Sequence, residues 1–370
     1  MARFGIVCLA SFLLSSYLIM DASQPASTSA PTMNLAEAPG NTALARAGVA
    51  ANQQAAAHVF TDYERRLDPN TLARQTDDLA HFCLYLQEEE DILLSPATLM
   101  LSPASWSGMT HGLLRSFRDW MVDDGYAIGT VNLRLSTVRT RARLAASAGA
   151  ISAQEQALMA LVHGYTFAEG QNVDAQREQT RRGAKKAQPI VISPAQRARL
   201  KQQPETPQGR RDALLMCLLL DHGLRCGEVA DLLPQALRIS EGLLVFYREK
   251  RKKWQRHKLT ADTLLAAGRY FEACSPTERL LLGSRKGHEG THLEGIMGRR
   301  AITKRVCALG KRMGLVGLSA HDCRHAWVDA AIRGKTDLKA LQDAGGWNSL
   351  AMPLRYAQEA EIANEGVVLA

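Results

Sequence analysis

No Cys-x-x-Cys pair occurs anywhere in the 370 residues. The seven cysteines, Cys8, Cys83, Cys217, Cys226, Cys274, Cys307 and Cys323, are scattered and odd in number, which excludes a disulfide framework and fits free thiols in a reducing cytoplasm. A long apolar run is missing too. The most hydrophobic stretch, "MARFGIVCLASFLLSSYLIM", has one basic residue at its start and gives way at once to "DASQPASTSAPT". It is too short for a convincing membrane span and resembles a secretory signal, yet nothing downstream looks secreted. Residues 1–32 are therefore expected to be an untranslated or dispensable extension, with Met33 the effective start. The Ala-rich tract to about Ala57 has little to pack, and residues 1–57 as a whole are expected to form a mobile or only partly helical extension. Acid is missing where it matters: residues 295–316 carry Arg299, Arg300, Lys304, Arg305, Lys311 and Arg312 and no Asp or Glu.

A second basic run lies at residues 248–258, where Arg248, Lys250, Arg251, Lys252, Lys253, Arg256 and Lys258 face Glu249 alone. With 45 Lys+Arg against 37 Asp+Glu the chain carries a formal charge of +8. Two such runs in one region point to nucleic acid more than to a merely solvated face. The length suffices for two domains, each with its own core.

From Val59 the pattern becomes helical. Leu72, Leu79, Phe82 and Leu86 recur at helical spacing, as do Leu113, Leu114, Phe117, Trp120 and Met121, before a stop at Gly125. A third helix is expected from Thr130, turning Arg134, Arg139, Arg141 and Arg143 outward. Residues 58–166 thus read as a helical domain with one basic helix, able to dock on a duplex or to be an ordinary amphipathic bundle. Periodicity fails over residues 167–189, whose polar, Gly- and Pro-closed composition predicts a linker.

Residues 190–370 form the second expected domain. Ser193-Pro194 starts a helix; "GRRDALLMCLLLDHGLRCGEVADLL" contains an apolar helix stopped at Gly223, with Arg225 beyond it and Glu228 placed to hold its guanidinium. Three short strands are expected at "ALRIS", "LLVFYREK" and "WQRHKLT", with Lys250 ending the middle one. Near the end stands "HDCRH", residues 321–325. As a zinc site it is poor, because on a helix Cys323 points away from His321 and His325 and a fourth ligand is wanting. As a phosphate site it is better, since His321 and Arg324 share one helix face. These two residues alone leave that reading level with a core histidine beside a salt-bridged arginine.

The tail "HDCRHAWVDAAIRGKTDLKALQDAGGWNSLAMPLRYAQ" resembles the tyrosine recombinase family, the integrases of phages and integrative elements. The family's H-x-x-R-H, helix, Gly turn, helix, G-[HW] and tyrosine nine residues on fall here at His321, Arg324, Trp347 and Tyr356. "GLRCGEVADL" is similar to its first arginine box, with Arg225 and Glu228, and the basic hairpin to its lysine turn, with Lys250 the nearest equivalent of Lys250, Lys252 and Lys253. The likeness covers residues 60–165 loosely and 190–360 firmly. Trp347 stands where a second histidine is commoner, the lysine turn is offset by one residue, and Pro353 requires that the tyrosine's helix begin near it.

The resemblance implies a mainly α protein with a small antiparallel β-sheet: a helical core-binding domain and an α+β tyrosine-recombinase catalytic domain. It implies a site-specific DNA recombinase or integrase, acting in the cytoplasm through a 3′-phosphotyrosine, with Arg225, Lys250, His321, Arg324, Trp347 and Tyr356 catalytic and Glu228 supporting. Arg251, Lys252, Lys253, Arg299, Arg300, Lys304 and Arg305 would contact DNA. Double-stranded DNA carrying a recombination site, a homotetramer on that DNA and accessory DNA-bending factors are the implied partners; no membrane, metal or cofactor is. A type IB topoisomerase-like enzyme and a non-catalytic DNA-binding protein of the same fold remain as alternatives.

Overall fold

The computed structural model describes residues 43–183, 188–284 and 292–356, with the side chains of Lys250, Arg355 and Tyr356 outside that description. The signal-like residues 1–32 fall outside it as well. The chain divides into two compact units, Met1–Gly183 and Ala184–Ala370. The architecture is mainly α with a small antiparallel sheet, as expected from the sequence.

The first unit contains α1 (Ala43–Glu64), α2 (Pro69–Glu90), α3 (Pro96–Leu101), α4 (His111–Asp123), α5 (Ile128–Ser147), α6 (Ala153–Ala160) and α7 (Phe167–Asp174). Side-chain oxygens of Asp68, Ser95 and Thr110 cap α2, α3 and α4, and Pro stands in the first turn of α2 and α3. Leu79, Phe82, Leu114, Phe117, Met121, Val131 and Leu135 close one core, with Phe82 edge-on to Phe117 at 5.1 Å between centroids.

Three expectations are corrected here. Residues 43–57 are helical rather than loosely structured, because Ala-rich sequence has high helix propensity and α1 is anchored further on by buried Phe60. Arg141 does not face outward: it is fully buried, donating to Glu64 Oε1 at 2.8 Å and Gln75 Oε1 at 3.3 Å between the Phe60 and Tyr63 rings. The acid on α1 makes that burial tolerable. Nor are residues 167–183, within the expected linker 167–189, without structure of their own. A reciprocal capping box of Thr166 and Glu169 starts α7, Gly170 packs on Ile128, and Arg177 donates to the Val122 carbonyl at 2.9 Å while Arg182 pairs with Asp124. Capping and side-chain ties to the 122–126 turn supply what the weak periodicity lacked.

The second unit contains α8 (Pro194–Lys201), α9 (Pro207–Leu220), α10 (Cys226–Asp231), β1 (Leu237–Arg238), β2 (Leu243–Arg248), β3 (Lys253–Lys258), α11 (Ala261–Ala273), β4 (Leu282–Ser284), β5 (Leu293–Ile296), α12 (Arg299–Lys311), α13 (Ala320–Arg333), α14 (Leu338–Gly345) and α15 (Ala351–Tyr356). Its core surrounds α9, whose Leu214–Leu220 stretch is buried on every side. The strands β1, β2 and β3 form an antiparallel sheet in that order, with Leu244 opposite His257 and Tyr247 opposite Trp254. A separate antiparallel pair, β4 and β5, was not foreseen from the sequence. The middle strand ends at Arg248, so Lys250 is not a strand-end residue: its backbone lies in a single 3₁₀ turn, Glu249–Arg251, closed by Lys252 at φ 46°.

Candidate functional site

The site begins where α9 stops. Gly223 takes φ +59°, and a Cβ there would run into the Trp327 ring, so only glycine turns the chain at this point. Two residues later Arg225 is the N-cap of α10. Glu228 reaches back to accept from the Arg225 backbone N–H at 2.9 Å through Oε2 and from its guanidinium at 2.8 Å through Oε1.

The same Oε1 also accepts from Arg248 at 3.3 Å. Arg248 belongs to the inner face of β2, with Leu244 and Phe246, and is fully buried. Its other donors reach the carbonyls of Ala344 at 2.8 Å and Gly345 at 2.7 Å, and its Nε reaches Gln255 Oε1. Burial is the main influence on its acidity and brings its pKa down to about 10, against the upward pull of Glu228.

Ser319 and Asp322 cap α13 reciprocally, and Asp322 also accepts from the Ile190 N–H at 3.1 Å. This sets the faces of "HDCRH". Cys323 is fully buried, whereas His321 is exposed and stacks edge-on with His325, their Nε2 atoms 3.2 Å apart. Among the described residues no group of three or more His, Cys, Asp or Glu side chains is placed to hold a metal ion. Arg324, one turn from His321, is 2% exposed; it donates to the Gly223 carbonyl and, at 2.6 Å, to the Gly345 carbonyl, with its guanidinium 4.5 Å from the Trp347 ring centroid.

Helix α14 ends in a Schellman turn: Gly346 has φ 63°, its N–H bonds Asp343 O, and the Trp347 N–H bonds Gln342 O. Trp347 is buried and stacks at 6.2 Å on Trp327. Arg251 donates to the Trp347 carbonyl at 2.8 Å and to Asn348. Then α15 begins at Ala351, with Pro353 in its first turn, where it costs no intrahelical bond. Tyr356 is its last residue.

The structure therefore brings Arg225, Glu228, Arg324 and Trp347 together around one turn, with His321 a helix turn away. The side chains of Lys250 and Tyr356 fall outside the described atoms. Of the basic residues, Lys252, Lys253, Arg300 and Lys304 are exposed, and Arg299 is exposed while pairing with Asp231 at 3.2 Å. Arg251 is drawn to the Trp347 turn. Two others point inward, contrary to a DNA-facing role: Arg305 clamps the buried Asp212, which also holds Arg211, and Arg248 is enclosed as described. The sequence reading missed Arg248, Gln255 and Trp327 as members of the site. Strict alternation with Leu244 and Phe246 was the signal that could have found Arg248.

Residues 191–362, spanning all of these side chains, match the phage integrase family. Through this region the chain is similar to that family. Among curated proteins, the integrase of Salmonella phage P22 is 38% identical over 47 residues, 13% of this chain and 12% of that one. The tyrosine recombinase XerC of Histophilus somni (strain 2336) is 27% identical over 169 residues, 42% of this chain and 52% of that one. The matched stretches thus span about half or less of those relatives' own lengths. Among solved structures, the Tn1549 transposon integrase in complex with transposon right end DNA superposes with a TM-score of 0.58 at 13% identity, covering 84% of this chain and 97% of that one. A lambda integrase tetramer bound to a Holliday junction gives 0.55 at 12% identity, covering 85% and 77%. At such identities the likeness establishes the fold. Among the described residues no helix is long and apolar enough to cross a membrane.

Proposed function

We propose that this chain is a site-specific DNA recombinase of the integrase type, which cuts and rejoins DNA through a 3′-phosphotyrosine on Tyr356. The observation that carries this reading is the double use of one carbonyl. Gly345 O accepts from Arg324 and from Arg248, and Arg248 continues to Glu228 and Arg225. The arginine of α10's N-cap, the arginine of α13 and the turn that leads to Tyr356 are thereby one hydrogen-bonded unit.

The chemistry needs such a unit. A phosphodiester resists nucleophiles because its non-bridging oxygens are negative and its leaving alkoxide is basic. Arg225, Arg324, His321 and the Trp347 indole N–H supply positive charge and donors for the pentavalent transition state. The Tyr356 phenolate attacks phosphorus, forming the 3′-phosphotyrosine as the bond to the 5′ oxygen breaks, and Lys250 gives that oxygen its proton. Attack by the 5′-hydroxyl of a second DNA releases Tyr356 and restores the phosphodiester. Relatives solved on transposon DNA and, as a tetramer, on a Holliday junction support double-stranded DNA with a recombination site as partner and a homotetramer as the working assembly. Residues 58–166 would then serve as the core-binding module and 190–370 as the catalytic one.

A second reading, a non-catalytic DNA-binding protein of the same fold, is favoured by one observation: Arg324 is nearly enclosed and directs two nitrogens to backbone carbonyls. One experiment separates the two. Purified protein is incubated with a nicked suicide substrate carrying its site, and the denatured product is mapped by peptide analysis. The recombinase reading expects a covalent adduct on Tyr356 that is lost in Tyr356→Phe while DNA binding persists. An adduct mapped to Tyr247 or Tyr270, or none from the wild type, would overturn it.

A further inference from the structure

We propose that Arg248 is a positioning residue for strand transfer: it fastens the Gly345–Gly346 turn, and with it Trp347 and the helix ending at Tyr356, to the carboxylate that orients Arg225. This rests on the recombinase reading for its consequence and on geometry for its substance. Arg248 is fully buried on a strand face whose other members, Leu244 and Phe246, are apolar. An apolar residue would fill that place without the desolvation that a buried cation suffers, so packing alone does not account for the guanidinium.

Its partners do. The last carbonyls of α14 have no acceptor role left inside the helix, and a helix C-terminus favours a cation. Arg248 meets Ala344 O and Gly345 O with two different nitrogens, 2.8 and 2.7 Å away, a fork that a lysine's single nitrogen cannot reproduce. Gln255 on the neighbouring strand accepts from its Nε and itself donates to Asp343 O at 2.5 Å, so two strand residues grip the same helix end. The fourth contact, to Glu228, connects that grip to the Arg225 turn. Gly346 completes the fit, because a Cβ there would stand 2.6 Å from Arg248 Cδ. The carbonyl that Arg248 holds is the one Arg324 holds, so a shift of the turn relative to β2 moves Trp347 and α15 against both site arginines.

The test uses the full chain with Arg248→Lys and Arg248→Met. Adduct formation is followed in single turnovers at saturating suicide substrate, alongside DNA affinity, thermal midpoint and amide hydrogen exchange. Arg248→Lys is expected to fold and to bind DNA within about twofold of wild type, while its cleavage rate falls roughly tenfold to a hundredfold, the scale of a small misplacement of reacting groups. The Gly346 and Trp347 amides should exchange about tenfold faster, with those of α9 unchanged. If Arg248→Met fails to fold, the lysine variant still decides. Wild-type cleavage by Arg248→Lys, or unchanged exchange at Gly346 and Trp347, would overturn the proposal. If wild-type protein forms no adduct, the recombinase reading fails by itself, and hydrogen exchange continues to report whether Arg248 holds the turn.

Discussion

Replacing Gly346 by alanine should cost far more than replacing a glycine of similar backbone in the same unit, and Gly314 is the comparison. Both have positive φ, +63° and +75°. A Cβ at Gly314 meets nothing within 4 Å, whereas at Gly346 it meets Arg248 Cδ at 2.6 Å and Nε and Nη1 at 2.8 Å. A left-handed alanine costs about 1–2 kcal/mol, offset by about 0.4–1 kcal/mol from the stiffer unfolded chain, so Gly314→Ala should lose about 1 kcal/mol. Gly346→Ala carries that loss and also displaces Arg248. The displaced guanidinium cannot swing into solvent, and a hydrogen bond to a charged group is worth about 1.5–3 kcal/mol, so the expected total is about 3–4 kcal/mol. Urea unfolding of the full chain reads both variants through the same unit. In an Arg248→Met background, where a flexible side chain yields, Gly346→Ala should cost only about 1 kcal/mol, a coupling of about 2–3 kcal/mol in the double-mutant cycle. Equal losses at Gly314 and Gly346, or additive losses in the cycle, would refute the idea that Arg248 is pinned against this turn.

Burial pushes His222 down to about 4 and His257, whose protonation the nearby Arg248 charge also opposes, down to about 3. Both are neutral when folded, so stability is fully present above the unfolded value near 6.5 and is lost as pH falls below it, by roughly 3 kcal/mol for His222 alone if titrated fully; urea midpoints at pH 7.5 and 5.0 should show the fall, and an equal fall in His257→Leu would count against it. Log affinity for DNA should decline with log salt, and Arg300→Ala and Lys304→Ala should each reduce the slope by about 1, whereas Arg305→Ala should leave the slope alone and destabilise the fold. A slope change from Arg305→Ala equal to the other two would return that residue to the DNA face. Lys250→Ala should slow cleavage more than Lys252→Ala or Lys253→Ala, and a 5′-bridging phosphorothiolate should rescue it; absence of rescue would place the proton donor elsewhere in the 249–253 turn. Cleavage should persist in EDTA, because the proposed charge neutralisation belongs to Arg225 and Arg324; loss on chelation with recovery on adding a metal would contradict that assignment.

What could be read from the chain by itself was local in origin. Ser193-Pro194, the stop at Gly223, the strand pair around Glu241-Gly242 and the facing of Cys323 against His321 all follow from periods of 3.6 or 2 and from capping chemistry within a few residues. The spacing of Arg225, His321, Arg324, Trp347 and Tyr356 was visible for the same reason, since motif offsets are properties of the chain. Burial of charge was not. Arg141, Arg248 and Arg305 look in sequence like surface cations, and each is turned inward by a partner far along the chain: Glu64, the 344–345 carbonyls and Asp212. A cation stays in a core only where tertiary contacts supply its acceptors, and no short-range pattern records who those acceptors are. Lys250 erred in the other direction, because the length of β2 is set by its pairing with β3, which ends at Arg248 and Lys253. The sequence by itself determined most of the helices, the three-stranded sheet and the spacing of the family motifs, and its basic runs point to an anionic partner. Only the tertiary structure decided which arginines are turned inward and which one holds the Gly345–Gly346 turn, because carbonyls, carboxylate and guanidinium come together there from segments about a hundred residues apart.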